Sequence, residues 1–212
     1  MESSFKLKKW FYDNMANFIT VARLLFASWL IFLGVWQPGQ IILIFILVLL
    51  SALSDLLDGW LARRNEITSE IGGLLDRLSD KAFICPTIFI IIWRYWPVDD
   101  IGMFSKLITE GIVAVIIFLE VLLILSGIWG FFHGFTVTSN QFGKKKMVFE
   151  SIAVISFFLF LCINRYNDIN MLIPVVVVDT CLVAAIYFAV KSADGYYNGL
   201  ASQYNQKYSL KK

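Results

Sequence analysis

The chain has 212 residues, 58% of them hydrophobic and only 16% charged, and a mean hydropathy of +0.72; it is too apolar for an ordinary water-soluble domain and suits a bilayer as its solvent. A net charge of +2, with basic residues clustered between apolar runs, excludes a nucleic-acid binder. One histidine, His133, and three cysteines, Cys85, Cys162 and Cys181, without paired spacing, exclude a zinc centre and a disulfide framework.

Residues 1–16 contain Phe5, Leu7, Lys8, Lys9, Trp10, Phe11 and Tyr12, a mixture of large apolar and basic side chains too short and too charged to cross. It predicts an amphipathic helix lying on the cytoplasmic leaflet. No small-residue cleavage pattern follows, so a cleaved signal peptide is not expected. A spanning helix needs about 20 mostly apolar residues. Stretches of that length lie near 18–37, 40–61, 74–96, 107–129, 147–164 and 171–191. The expected fold is therefore an all-α integral membrane protein, with six transmembrane helices over 17–191 and a polar, Tyr-rich C-terminal tail over 192–212.

The connectors set the orientation. With both termini cytoplasmic, the inner side holds Lys6, Lys8, Lys9, Arg63, Arg64, Lys144, Lys145, Lys146, Lys191, Lys207, Lys211 and Lys212, and the outer side only Arg94, Lys106 and Arg165. Cytoplasmic loops carry the excess of Lys and Arg, so this topology is the one predicted.

The second and third spans carry ionisable residues at a depth where a charge costs a few kcal/mol even on lenient scales. Asp55 and Asp58 are three positions apart and Asp76 and Asp80 four apart, so each pair lies on one face of its helix. Four converging carboxylates repel one another unless a cation joins them. Magnesium and manganese prefer hard oxygen ligands, and paired ions about 3.5–4 Å apart clamp phosphoryl oxygens during displacement. Gly59 and Gly72 share the acidic face and leave space for a ligand, and Arg63, between the two helices, can face the same cleft.

Together, Asp55, Asp58, Gly59, Ala62, Arg63, Gly72, Asp76 and Asp80 form the pattern D-x2-D-G-x2-A-R-x8-G-x3-D-x3-D. This resembles the motif of the CDP-alcohol phosphotransferase family, and the six-span layout with its interfacial N-terminal helix extends the resemblance over most of the chain. The resemblance implies a cytoplasmic site in which Asp55, Asp58, Asp76 and Asp80 hold two divalent metals, Mg2+ or Mn2+, against the diphosphate of a CDP-linked lipid donor. Asp80 would also be the general base for the acceptor hydroxyl. Gly59, Ala62 and Gly72 would make room for the cytidine, with Asp55 and Arg63 also on the donor side. A homodimer is implied by the family alone.

Two further segments resemble the phosphatidylglycerophosphate synthase branch. One is Asn17-x-x-Thr20-x-x-Arg23, preceded by Ala16 where that branch has Pro; the other is Gly143-Lys144-x-Lys146, followed by Met147 and Glu150 where it has Thr and Gln. The resemblance implies an acceptor-binding role for Asn17, Thr20, Arg23, Lys144 and Lys146. Glu120 aligns loosely with an Arg-Glu pair of that branch, with Leu119 replacing the Arg, and joins the acceptor set. The acceptor so implied is a small phosphorylated alcohol, glycerol 3-phosphate. Inositol phosphate, phosphatidylglycerol, serine and choline or ethanolamine remain open alternatives. Asp179 is a further intramembrane acid, read either as a polar contact, between helices or across a dimer, or as a functional group. A transporter with an acidic ion pathway is the alternative of another class. The bunching of the acids at one end of two helices, and the lack of a repeat pairing the first three spans with the last three, speak against it.

Overall fold

The computed structural model describes residues 21–65, 81–132 and 141–209, and their side chains except those of 55–65, 131 and 205–209. Every regular element among them is helical: α1 (Val21–Trp36), α2 (Ile41–Asn65), α3 (81–90) running into a π-helical turn (Ile91–Tyr95), α4 (Val98–Phe132), α5 (Gln141–Asn164) and α6 (Leu172–Ser209). A helix satisfies its own backbone groups, which is what hydrocarbon demands of a crossing segment. α4 up to Gly130, α5 and α6 up to Tyr204 are long and apolar enough to cross a membrane; among the described residues the apolar helical stretches Val21–Trp36 and Ile41–Ser54 are shorter. The third expected span begins outside the described residues.

Along α4, Phe104, Leu107, Phe118, Val121 and Leu125 are exposed, while Val113 and Ile116 are buried. A helix apolar on its exposed faces as well as its buried one is covered by lipid rather than water. This is the architecture of a membrane protein.

The chain forms two compact units, the first comprising residues up to Tyr95 with Phe158–Ile169, the second Trp96–Phe157 with Asn170 onward. In the first unit α1 and α3 approach closely at Gly34, where an added Cβ would lie 2.7 Å from Ile90 Cγ2. The turn between α1 and α2, built on Pro38-Gly39, is held at both carbonyls. The Tyr95 hydroxyl donates to the Pro38 oxygen (2.9 Å) and the Arg165 guanidinium to the Gly39 oxygen (3.0 Å). The Tyr95 ring also meets Phe158 edge-on, with centroids 5.7 Å apart. These contacts hold Tyr95 and Arg165 against the turn between α1 and α2.

In the second unit, Trp96 stacks on Phe157 (5.9 Å) and Phe149 of α5 on Phe188 of α6 (5.4 Å), and Thr109 of α4 donates its hydroxyl to Asp179 of α6 (2.7 Å). The last bond makes Asp179 a polar contact between helices, one of the two readings its sequence position allowed. α6 starts with Asn170, whose side-chain oxygen accepts from the Leu172 N–H (3.0 Å), a cap of the kind short polar residues supply. Pro174 follows in the first turn, where its missing N–H leaves no bond unmade.

At the start of α4 a short helical turn follows Pro97, the chain leaves the helical conformation at Gly102 (φ 81°, ψ 161°), and the long helix of the fourth expected span runs on from there. That φ lies in the left-handed region, which glycine adopts without a Cβ penalty. α6 continues beyond residue 191 as one helix to Ser209, so much of the polar segment expected as a tail is helical.

Candidate active site

The first half of the eight-residue pattern lies on α2, whose backbone is helical through Asn65. That register returns positions 55, 58 and 62 to one face, with Gly59 and Arg63 adjoining. A carboxylate set of this kind, hard oxygen donors a helical turn apart, fits a divalent ion. Gly72, Asp76 and Asp80, the second half, lie outside the described residues, as do Asn17 and Thr20. Among the described residues no group of three or more metal-ligating side chains comes together, and the predicted carboxylates are not among those side chains.

The acceptor-side residues that are described fall into two environments. Arg23 of α1 is buried, 1% exposed. Lys144 and Lys145 at the start of α5 are exposed, and the Lys145 ammonium lies over the Phe188 ring, 5.8 Å from its centroid. Lys146 is buried, 4% exposed, together with Glu120 and Glu150, each 3% exposed. Its ammonium forms an ion pair with Glu120 of α4 and a second, longer one with Glu150 one turn along α5 (3.9 Å). Burial without compensation would be prohibitive for any of the three, and the pairing explains why a lysine and two acids tolerate this depth.

Sequence reasoning named Lys146 and Glu120 separately and did not connect them. The Lys146–Glu150 spacing of four was readable as a helical pair, whereas a contact from α5 back to α4 leaves no local signal. The clamp of Tyr95 and Arg165 on the Pro38-Gly39 turn was likewise not legible.

A family model described as CDP-alcohol phosphatidyltransferase matches residues 13–191. The chain belongs to this family. Relatives of the phosphatidyltransferase chain include the CDP-diacylglycerol--glycerol-3-phosphate 3-phosphatidyltransferase of Aquifex aeolicus (strain VF5), 29% identical over 163 residues, 75% of this chain and 81% of that protein. The protein of the same name from Blochmanniella floridana is 36% identical over 35% of this chain and 41% of its own length, and that from Rickettsia bellii 26% identical over 48% and 56%. No solved structure matches the chain. As a CDP-alcohol phosphatidyltransferase it is a membrane enzyme, a transferase of phospholipid biosynthesis.

Proposed function

We propose that this phosphatidyltransferase moves the phosphatidyl group of CDP-diacylglycerol to glycerol 3-phosphate, releasing CMP. The observation that carries the donor half is the intact pattern from Asp55 to Asp80 within the region the family model matches. The acceptor half is supported by the Gly143-Lys144-x-Lys146 segment and by relatives whose names specify glycerol 3-phosphate. In this reading six helices cross the membrane, both termini and the site are cytoplasmic, and the enzyme is a homodimer.

Asp55, Asp58, Asp76 and Asp80 would hold magnesium or manganese, which supplies electrostatic relief to the donor diphosphate and the departing CMP. Arg63 contacts donor phosphate, and Gly59, Ala62 and Gly72 leave room for the cytidine. Asp80 accepts the proton of the acceptor hydroxyl while that oxygen forms its bond to the β-phosphorus and the bond to the CMP oxygen breaks. On the acceptor side stand Asn17, Thr20, Arg23, Lys144, Lys146 and Glu120, with exposed Lys144 answering the charge that a phosphorylated alcohol brings.

CMP release by the purified protein in mixed micelles of CDP-diacylglycerol tests the reading, with glycerol 3-phosphate, inositol phosphate, phosphatidylglycerol, serine, choline and ethanolamine offered in turn. Turnover with glycerol 3-phosphate is expected. Transfer to another alcohol and none to glycerol 3-phosphate would overturn the acceptor assignment alone.

A further inference from the structure

The two lysines of the Gly143-Lys144-x-Lys146 segment stand in opposite surroundings: Lys144 is exposed, while Lys146 is enclosed with Glu120 and Glu150. A flexible ammonium serves as a mobile point charge for a substrate phosphate only where substrate can reach it. Lys146, 4% exposed and ion-paired with carboxylates on two helices, is placed instead to join α5 to α4. A single residue, Lys145, separates it from Lys144, so whatever fixes the Lys146 side chain fixes the turn that presents Lys144. Glu150, one turn further along α5, contacts the same ammonium at 3.9 Å.

We propose that Glu120, Lys146 and Glu150 form a buried positioning cluster, in which Glu150 is a member the family resemblance does not supply, and that it sets the first turn of α5 so that Lys144 meets the phosphate of the acceptor. The proposal rests on the reading of glycerol 3-phosphate as acceptor. Lys146 and the two acids are positioning residues; Lys144 is the one that touches substrate.

A cluster that positions Lys144 and one that merely stabilises the bundle differ in kinetics. Misplacing Lys144 weakens binding of one substrate and so raises that substrate's KM, whereas loss of folded enzyme lowers Vmax and leaves both KM values alone. The experiment measures KM for glycerol 3-phosphate and for CDP-diacylglycerol, with Vmax, in the full-length enzyme and its Lys146→Gln, Lys146→Arg, Glu120→Gln and Glu150→Gln variants. Expected are acceptor KM values raised on the order of tenfold for Lys146→Gln and Glu120→Gln and severalfold for Glu150→Gln, with the donor KM unchanged. Lys146→Arg, which keeps the charge, should return most of the acceptor affinity. If Lys146→Gln does not fold, Glu150→Gln and Lys146→Arg still carry the comparison. Variants that lose Vmax at an unchanged acceptor KM would overturn the proposal. A wild-type enzyme inactive with glycerol 3-phosphate would overturn the acceptor reading instead, and the same KM comparison, made with whichever alcohol it does use, then decides whether the cluster positions the acceptor site.

Discussion

Asp80 is asked to do two things in the proposed reaction, to bind a cation and to take a proton, and one substitution separates them. Asp80→Asn keeps the shape of the side chain and one oxygen donor but removes the basic group. Transfer should fall by a factor of about 10² to 10⁴, the range general-base catalysis covers, while CDP-diacylglycerol affinity changes little. Parallel measurement of turnover and of donor binding checks this, and near-native turnover would remove Asp80 from the role of base. At this scale the α2 half of the donor-side motif has local spacing: a helix turns the interval of three between Asp55 and Asp58 into a shared face. Lys146 shows the opposite case. Its i,i+4 neighbour Glu150 stands in the sequence as a pair, but its other partner Glu120 belongs to another helix, and only packing brings the two together. Asp179 was similarly ambiguous until Thr109 supplied its hydrogen-bond donor.

Among the helices, hydropathy located the apolar stretches but not their ends. The polar residues after 191 carry no run of apolar length, yet α6 passes through them, since a helix already formed adds residues without a new nucleus. The start of α4 was hidden by Asp99, Asp100 and Lys106, which read as a connector although they stand on a helical turn and just past its kink. The contact of α1 with α3 gives a prediction for elements. A methyl at Gly34 would press on the Cγ2 of buried Ile90 at 2.7 Å, and a β-branched side chain has little freedom to retreat. Gly34→Ala should therefore destabilise the fold by about 1–3 kcal/mol. Gly111, where an added Cβ meets nothing within 4 Å, provides the matched control, and Gly111→Ala should be neutral or slightly stabilising. Activity surviving a heating series in detergent compares the two; equal midpoints would show that α1 and α3 separate without loss.

For the molecule as a whole, dependence on divalent cations follows from the charge pattern. In the proposed site Asp55, Asp58, Asp76 and Asp80 share one cleft and cannot all ionise in company without a cation, so excess chelator should abolish transfer. Magnesium or manganese should restore it and calcium, larger and less strict in geometry, should support little. Full activity in chelator would contradict this. The exposed apolar faces of α4 and α6 place these measurements in lipid or detergent, where such faces are covered.

The bond from Arg165 to the Gly39 carbonyl joins residues 126 positions apart, and that separation is also an interval of time. Synthesis at about 5–20 residues per second delivers Arg165 on the order of ten seconds after Gly39. Until then the hairpin of α1 and α2 has its turn without this donor, and the Gly39 carbonyl must be hydrated. The turn is thus made early and fastened late. This stitch waits for α5 to emerge, so a ribosome stalled between these two residues would leave a hairpin already folded but not yet sewn shut.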